Sequence, residues 1–520
     1  MKQKNQNNSM AIKSCNQTEI RRSGNYKPPM WEFDFVQSLS NEYMGERDVT
    51  RASELKMQAK IMLDEATEPQ DQLNLIDDLQ RLGISYHFED EIKHILTFIN
   101  RKDDKNNEPR IKDLYATALE FRLLRQHGFN VSQEIFDCFK NEEGYFKPNL
   151  YEDTKGLLQL YEASFLSTEG ERTLEVAREF TIKHLQDQIL DQDSALLVHH
   201  ALELPLHRTI PRAEARWFIN LYSQNSDMNP ILLELAQLDF NLVQATYQQE
   251  LKQVSRWWKR ICLAEKLPFA RDRLVECFFC TIGGLFEPQY GLCRTILTKV
   301  MCLLTVIDDI YDVYGTLDEL ELFTLAFERW DVNAIDQLPD YMQICYLAVI
   351  NFVNEIAYDV LTGKGVLIIP YLRNAWTDIC KAYLQEAKWN FNGHTPTLEE
   401  YMENARITIS SHVIMSHAFF IVTNPIEKEA VEYLQKYPGV IRWLTTILRL
   451  ADDLATSSEM RKILNKDQHM DSPFSQTFVG IAVNFARMAQ YLYEHGDGIG
   501  IQNLEIKHRM LGLLFEPIPL

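Results

Sequence analysis

The chain has 520 residues, 46% apolar, 24% charged and 11% aromatic, with a formal net charge of −21. That length suggests more than one core, and the modest glycine and proline content excludes collagen-like and disordered classes. The acidic balance argues against a nucleic-acid surface, and it implies that a phosphate-bearing substrate would need metal ions between it and the protein's carboxylates.

Residues 1–20 are rich in Asn, Gln and Lys and contain no apolar h-region, so they do not form a secretory signal. They read as a leader or disordered tail, with the stub of an organelle transit peptide as the alternative. Amphipathic helix is expected over 114–124, 173–190 and 231–254, and no run alternates with period two. Turn clusters at 144–148, 363–365 and Asn424-Pro425 punctuate the helices. The polar stretch 223–230 ends in proline and precedes a new apolar helix, which makes it the best domain boundary. No motif recurs at the ~34- to 47-residue periods of helical repeats. Nine cysteines include one close pair, Cys277-Phe278-Phe279-Cys280. Without a second pair it reads as two small apolar residues on a buried helix face, and the odd count suggests a reducing compartment. No uninterrupted apolar run reaches about 18 residues, so membrane insertion is not expected.

Three clusters carry chemistry. Phe269-Ala270-Arg271-Asp272-Arg273 offers two guanidiniums that could clamp a phosphate, or could simply be solvated. The apolar run 300–307 leads straight into Asp308-Asp309-Ile310-Tyr311-Asp312. On a helix Asp308 and Asp312 share a face, where like charges repel and a hard divalent cation would relieve the repulsion. A solvated acidic helix end is the alternative. The third cluster runs from Arg449 through Asp452-Asp453 and Thr456 to Glu459. Arg449, Asp452, Thr456 and Glu459 fall on one helical face, which suits a metal held jointly by protein and phosphate. A polar stretch opening a loop is the alternative there.

Taken together and in this order, these clusters resemble the plant class I terpene synthases, in particular the angiosperm monoterpene synthase branch. Arg21-Arg22 followed by eight residues and Trp31 matches that branch's R-R-x8-W motif, Arg271-Asp272-Arg273 its R-x-R, Asp308 to Asp312 its aspartate-rich motif, and Asp452-Asp453-x-x-Thr456 the start of its second metal motif. The resemblance implies an all-α protein. An N-terminal double-helical barrel over 21–225 would precede a C-terminal class I helical bundle over 226–520, with the catalytic site in the bundle. It implies three Mg²⁺, or Mn²⁺, held by Asp308, Asp312, Asp452, Thr456 and Glu459. It implies a prenyl diphosphate bound by Arg271, Arg273, Arg449, Asp308, Asp312 and Asp452, with Asp308, Asp312 and Arg271 catalytic. Arg21, Arg22 and Trp31 resemble a strip that covers the pocket and assists isomerisation. Trp257 and Trp258 are candidates for its aromatic lining, and His495-Gly496-Asp497-Gly498 for a lid. The expected reaction is Mg²⁺-dependent conversion of geranyl diphosphate to a cyclic or acyclic monoterpene by a monomeric, plastid enzyme. A cytosolic sesquiterpene synthase acting on farnesyl diphosphate is one alternative and a catalytically impaired isoform another.

The chain departs from the family pattern at three places. Met460 stands where the second metal motif has Glu, leaving Glu459 as a candidate substitute. Only residues 460–471 separate that motif from the next familial stretch, so the chain looks shortened by a helix after 459. Ser410-Ser411-His412 replaces the Gly and Pro of a helix break that lines the pocket.

Overall fold

The computed structural model describes residues 22–105, 113–187, 192–454, 473–494 and 504–520. Among them the chain is helical throughout, with no strand and a single isolated bridge between Lys140 and Phe146. Helices begin where polar side chains satisfy their first N–H groups. Asn229 caps the long helix Pro230–Ile261, whose proline lies in the first turn. The preceding helix ends at Tyr222.

The apolar interior does not divide at that turn. One cluster of buried residues runs from Val36 through Leu55 and Ile76 into the bundle and on to Ile518. A smaller one, centred on Phe121, Phe136, Leu160 and Leu174, belongs to the amino-terminal half alone. The halves are also joined by a buried polar knot. Asp239, on helix Pro230–Ile261, accepts hydrogen bonds from Tyr86 Oη at 2.6 Å and Arg212 Nη1 at 3.1 Å, and it contacts His87 Nε2 at 2.7 Å.

The last described segment is threaded back onto the same long helix. Asn241 bonds both to the carbonyl and from the N–H of Ile518, at 2.8 Å each, and Gln248 Nε2 donates to Leu514 O at 2.9 Å. Gln244 Nε2 and Arg216 Nη1 both donate to Gly512 O. This fixes Phe515 against Trp31, with ring centroids 4.8 Å apart.

Among the described residues three helical stretches, 288–314, 340–364 and 398–422, have the length and mean hydropathy that crossing a membrane requires. Polar residues interrupt each of them, so no unbroken apolar run marks them in the sequence. Half or more of each apolar window is buried within the protein.

His412 and His417 are enclosed in this interior, and burial pushes each imidazole down to about 4. His417 Nδ1 contacts Val413 O at 2.8 Å, while its Nε2 has no hydrogen-bond partner. The folded pKa lies below the unfolded value, so this contribution to stability is complete above about pH 6.5 and is lost as pH falls towards 4. His417→Phe is expected to remove about 2 kcal/mol of the stability lost between pH 7 and 4.5, read by urea unfolding at both pH values.

Candidate active site

The helix Gly291–Asp309 carries the apolar run, and its carboxyl end delivers the aspartates. There it widens into a π-turn, Ile310–Tyr314, closed by the Gly315 N–H on Ile310 O at 2.8 Å. A capping box of Thr316 and Glu319 starts the next helix, Leu317–Arg329. Carboxylates at a helix C-terminus face the negative end of the backbone dipole, so the position calls for cations.

Arg271 supplies one. Its backbone N–H donates to Asp309 Oδ2 at 2.6 Å and its Nε to the same oxygen at 3.2 Å, while its Nη2 donates to Asp308. Burial nevertheless holds the Asp308 carboxyl above the usual range, with Arg271 opposing and Asp309 reinforcing the shift. Enclosure in the cleft and then the charges of Asp308 and Glu386 hold Asp312 up to about 7. Asp312 keeps an accessible face, so the repulsion is the cause that weighs most there. Glu386, from helix Ile369–Asn392, accepts from Thr408 Oγ1 at 2.9 Å and Asn404 Nδ2 at 3.2 Å, and burial raises it as well.

The facing wall is the end of helix Gly439–Leu454. Arg449 Nη2 donates to Asp452 and, at 2.5 Å, to Asp453, which also accepts from Tyr401 Oη at 2.8 Å. Thr456 and Glu459, expected to complete this wall, lie outside the described residues, as do Met460, Arg21 and the stretch 495–498 expected to form a lid.

Between the walls lies a cavity of about 220 Å³. Arg271, Asp308, Arg449 and Asp452 share its lining, so the structure brings together four of the residues singled out from sequence. Its deeper surface is apolar and includes Met301, Leu304, Ile414, Leu444, Phe485 and Met488. Two glycines shape it: a Cβ on Gly283 would meet Met488 Sδ at 2.2 Å, and one on Gly284 would meet the Phe485 ring at 2.7 Å. Their absence of side chains lets helix Leu274–Gly284 pack tightly against helix Gln476–Tyr493. Cys277 and Cys280, buried on that helix, also line the cavity.

Other expectations are corrected. Trp257 and Trp258 do not line this cavity. Trp257 packs against Phe352 and under Lys299 Nζ, and Trp258 Nε1 donates to Asp272 Oδ1 at 3.0 Å. That bond turns Asp272 away from the cavity and fixes the loop that presents Arg271. The aromatic residues of the lining are Tyr383, Phe485 and Tyr493. Arg273 is buried behind the site, donating to Lys27 O at 3.4 Å, and does not reach the cavity beside Arg271. Arg22 is exposed, whereas Trp31 is half-buried on a different cavity. The helix break at 410 is present, with Ser410 at φ 61°, and Ser410 and Ser411 line the cavity. His412 does not, because it turns towards Ala375 O.

The donor set fits divalent cations. The oxygens of Asp308, Asp309 and Asp312 are hard ligands, burial and the neighbouring carboxylates hold Asp308 and Asp312 above the usual range, and the buried Asp309 Oδ1 accepts no hydrogen bond although Arg271 Nε lies 3.0 Å from it. Among the described residues no three carboxyl, thiol or imidazole groups converge on one point, since guanidiniums pair with Asp308 and Asp452 instead.

Family comparison agrees with this arrangement. A terpene synthase N-terminal domain matches residues 30–203, and a terpene synthase family metal-binding domain matches residues 259–466. The chain is 52% identical to a (−)-alpha-terpineol synthase of Vitis vinifera, covering 97% of this chain and 92% of that one. It is also 52% identical to a chloroplastic myrcene synthase of Quercus ilex, covering 96% and 90%. The first alignment spans 544 positions yet only 97% of 520 residues, so about 40 aligned positions have no counterpart here. Limonene synthase, solved with 2-fluorolinalyl diphosphate, superposes with a TM-score of 0.92 at 48% identity, covering 96% of this chain and all of that one. Isoprene synthase of grey poplar, solved with three Mg²⁺ ions and dimethylallyl-S-thiolodiphosphate, gives 0.84 at 43% identity, covering 94% and 99%.

Proposed function

The chain belongs to the terpene synthase family, and from that premise we propose that it ionises geranyl diphosphate and converts the resulting cation to a monoterpene. The observation that carries this reading is the single cavity whose rim holds Arg271, Asp308, Arg449 and Asp452 and whose depth is apolar. Such a cavity separates the two halves of an allylic diphosphate: the anion stays at the rim and the hydrocarbon enters the depth.

Asp308 and Asp312 on one wall, and Asp452 with Thr456 and Glu459 on the other, would hold the divalent ions, three Mg²⁺ by likeness to isoprene synthase. Bound there, they supply Lewis-acid neutralisation of the leaving diphosphate. Arg271 and Arg449 add donors aimed at the same growing charge. The C–O bond breaks heterolytically, its electron pair leaves with diphosphate, and an allylic cation remains in the depth. The faces of Tyr383, Phe485 and Tyr493 stabilise that cation, and the apolar lining keeps water from quenching it. Loss of a proton, or capture of water, ends the reaction. Plastid location rests on chloroplastic relatives such as the myrcene synthase.

The test is incubation of purified protein with Mg²⁺ and either geranyl or farnesyl diphosphate, followed by analysis of volatiles. Monoterpene from geranyl diphosphate is expected. Product from farnesyl diphosphate alone would replace this reading with a sesquiterpene synthase. The second reading, a catalytically impaired form, is favoured by the roughly 40 unmatched alignment positions, and absence of product from both substrates would establish it.

A further inference from the structure

Trp31 lies on a second cavity, of about 340 Å³, which the proposed reaction does not use. One wall is the segment from Pro29 to Val36, and the other is the end of helix Pro230–Ile261 with the start of helix Leu274–Gly284. Asp272 lines it, whereas the adjacent Arg271 lines the catalytic cavity, so a single loop separates the two. Its volume falls in the ~300–1,000 Å³ range of small-molecule sites.

Two polar atoms of its lining have opposite roles and no partner. Glu276 is 2% exposed, and among the described residues its Oε1 accepts no hydrogen bond. Trp31 Nε1 is buried and, among the same residues, donates none. The Trp31 ring packs on Phe35, Phe515 and Lys507 Nζ, which leaves its N–H as the group still to be matched. Other polar groups of the lining are already engaged. Trp258 Nε1 donates to Asp272 at 3.0 Å, Lys259 pairs with Glu265, and Ser255 Oγ accepts from Gln37 at 3.2 Å. Much of the remaining surface is apolar, from Phe33, Val36, Ala264, Leu274 and Val275.

An occupant that matches this lining must donate to Glu276 and accept from Trp31, and a hydroxyl oxygen can do both. An ammonium would suit Glu276 but would bring only N–H groups to the Trp31 N–H. A carboxylate would meet Glu32, Asp272 and Glu276, while the Lys259 ammonium is already paired. Burial holds the Glu276 carboxyl up to about 7, and a hydroxyl can match that group in either protonation state.

We propose that this second cavity binds a compact alicyclic alcohol, which donates to Glu276 and accepts from Trp31 Nε1 while its hydrocarbon body lies on the apolar lining. Monoterpene alcohols formed by water capture belong to this class. That link rests on the proposed function, whereas the site itself does not.

The test uses the full chain without substrate or metal. Three probes share one carbon skeleton and differ in head group: cyclohexylmethanol, cyclohexylmethylamine and cyclohexanecarboxylate. Binding is measured by titration calorimetry and placed by iodoacetamide alkylation, followed peptide by peptide. Cys262 lines this cavity and Cys277 and Cys280 line the catalytic one, so the thiols report which is filled. The alcohol is expected to bind about ten-fold more tightly than either charged probe and to slow alkylation of Cys262 alone. Glu276→Leu and Trp31→Phe should each weaken it about ten-fold, and Glu276→Gln, which keeps an acceptor, should stay within about three-fold of the parent. Ala264→Phe fills the cavity from a half-buried position without touching either polar atom, and should abolish binding. No binding and an unprotected Cys262 would mean that water alone occupies the cavity and would overturn the proposal. So would protection of Cys277 and Cys280 in place of Cys262, a preference for the amine or the carboxylate, or binding that Glu276→Leu and Ala264→Phe leave unchanged. None of these measurements needs turnover, so they decide the site even if the chain makes no product.

Discussion

Asp308→Asn is expected to lower kcat at least about a thousand-fold, with a much smaller change in KM and no loss of thermal stability. Asp308 is the one residue of the aspartate-rich cluster that lines the cavity. It is also where Arg271, Tyr383 and the repulsion from Asp309 meet. Asparagine keeps the shape and one acceptor but removes the charge that would fix a divalent ion opposite the leaving group. Stability should hold because burial and Asp309 already raise the Asp308 carboxyl above its ordinary range. The folded state therefore disfavours the charge that the substitution deletes. Steady-state kinetics with geranyl diphosphate and a thermal melt without metal, on the same preparation, check both halves. Activity within ten-fold of the parent would show that the other wall suffices for ionisation.

The largest effect on folding should come from Asp239, far from the chemistry. Asp239→Ala leaves Arg212 buried with its carboxylate partner gone, and removes the acceptor of Tyr86 as well. Breaking one side of a buried ion pair costs about 3–5 kcal/mol, because the remaining charge stays desolvated. Urea unfolding at pH 7 should show that loss. Asp239→Asn, which can still accept from Tyr86, should fall between the two. A loss below about 1 kcal/mol would mean that water reaches Arg212 in the variant and that the knot is less enclosed than its burial indicates.

The legible parts of this protein were those in which chemistry is contiguous in sequence. Asp308 and Asp309 follow an apolar run, and Arg449 precedes Asp452 by one helical turn, so a local pattern sufficed to place them on the cavity. The helical class was equally plain from period and composition. Residues that reach the site from distant segments left no such trace. Glu386 and Tyr401 come from helices whose polar faces look solvated. Trp257 and Trp258 misled for a related reason: aromatic character announces burial, but not which side of a helix faces the cavity. Arg271 and Arg273 are alternate residues on a non-helical turn, so one points to the cavity and the other away. That distinction depends on the Trp258–Asp272 bond, which joins two elements and has no signature in either.

The threading of residues 512–518 along helix Pro230–Ile261 bears on how the molecule is made and handled. Trp31 leaves the ribosome long before Phe515 exists, so its aromatic seat is completed only when synthesis reaches the far end of the sequence. The strip must wait, unseated, through the assembly of everything between. A nascent chain arrested before residue 512 would also leave the amides of Asn241, Gln244 and Gln248 without the carbonyls they grip. For recombinant production the same fact sets a preference: purification tags belong ahead of Arg22, and trimming at the opposite end should be expected to unseat Trp31.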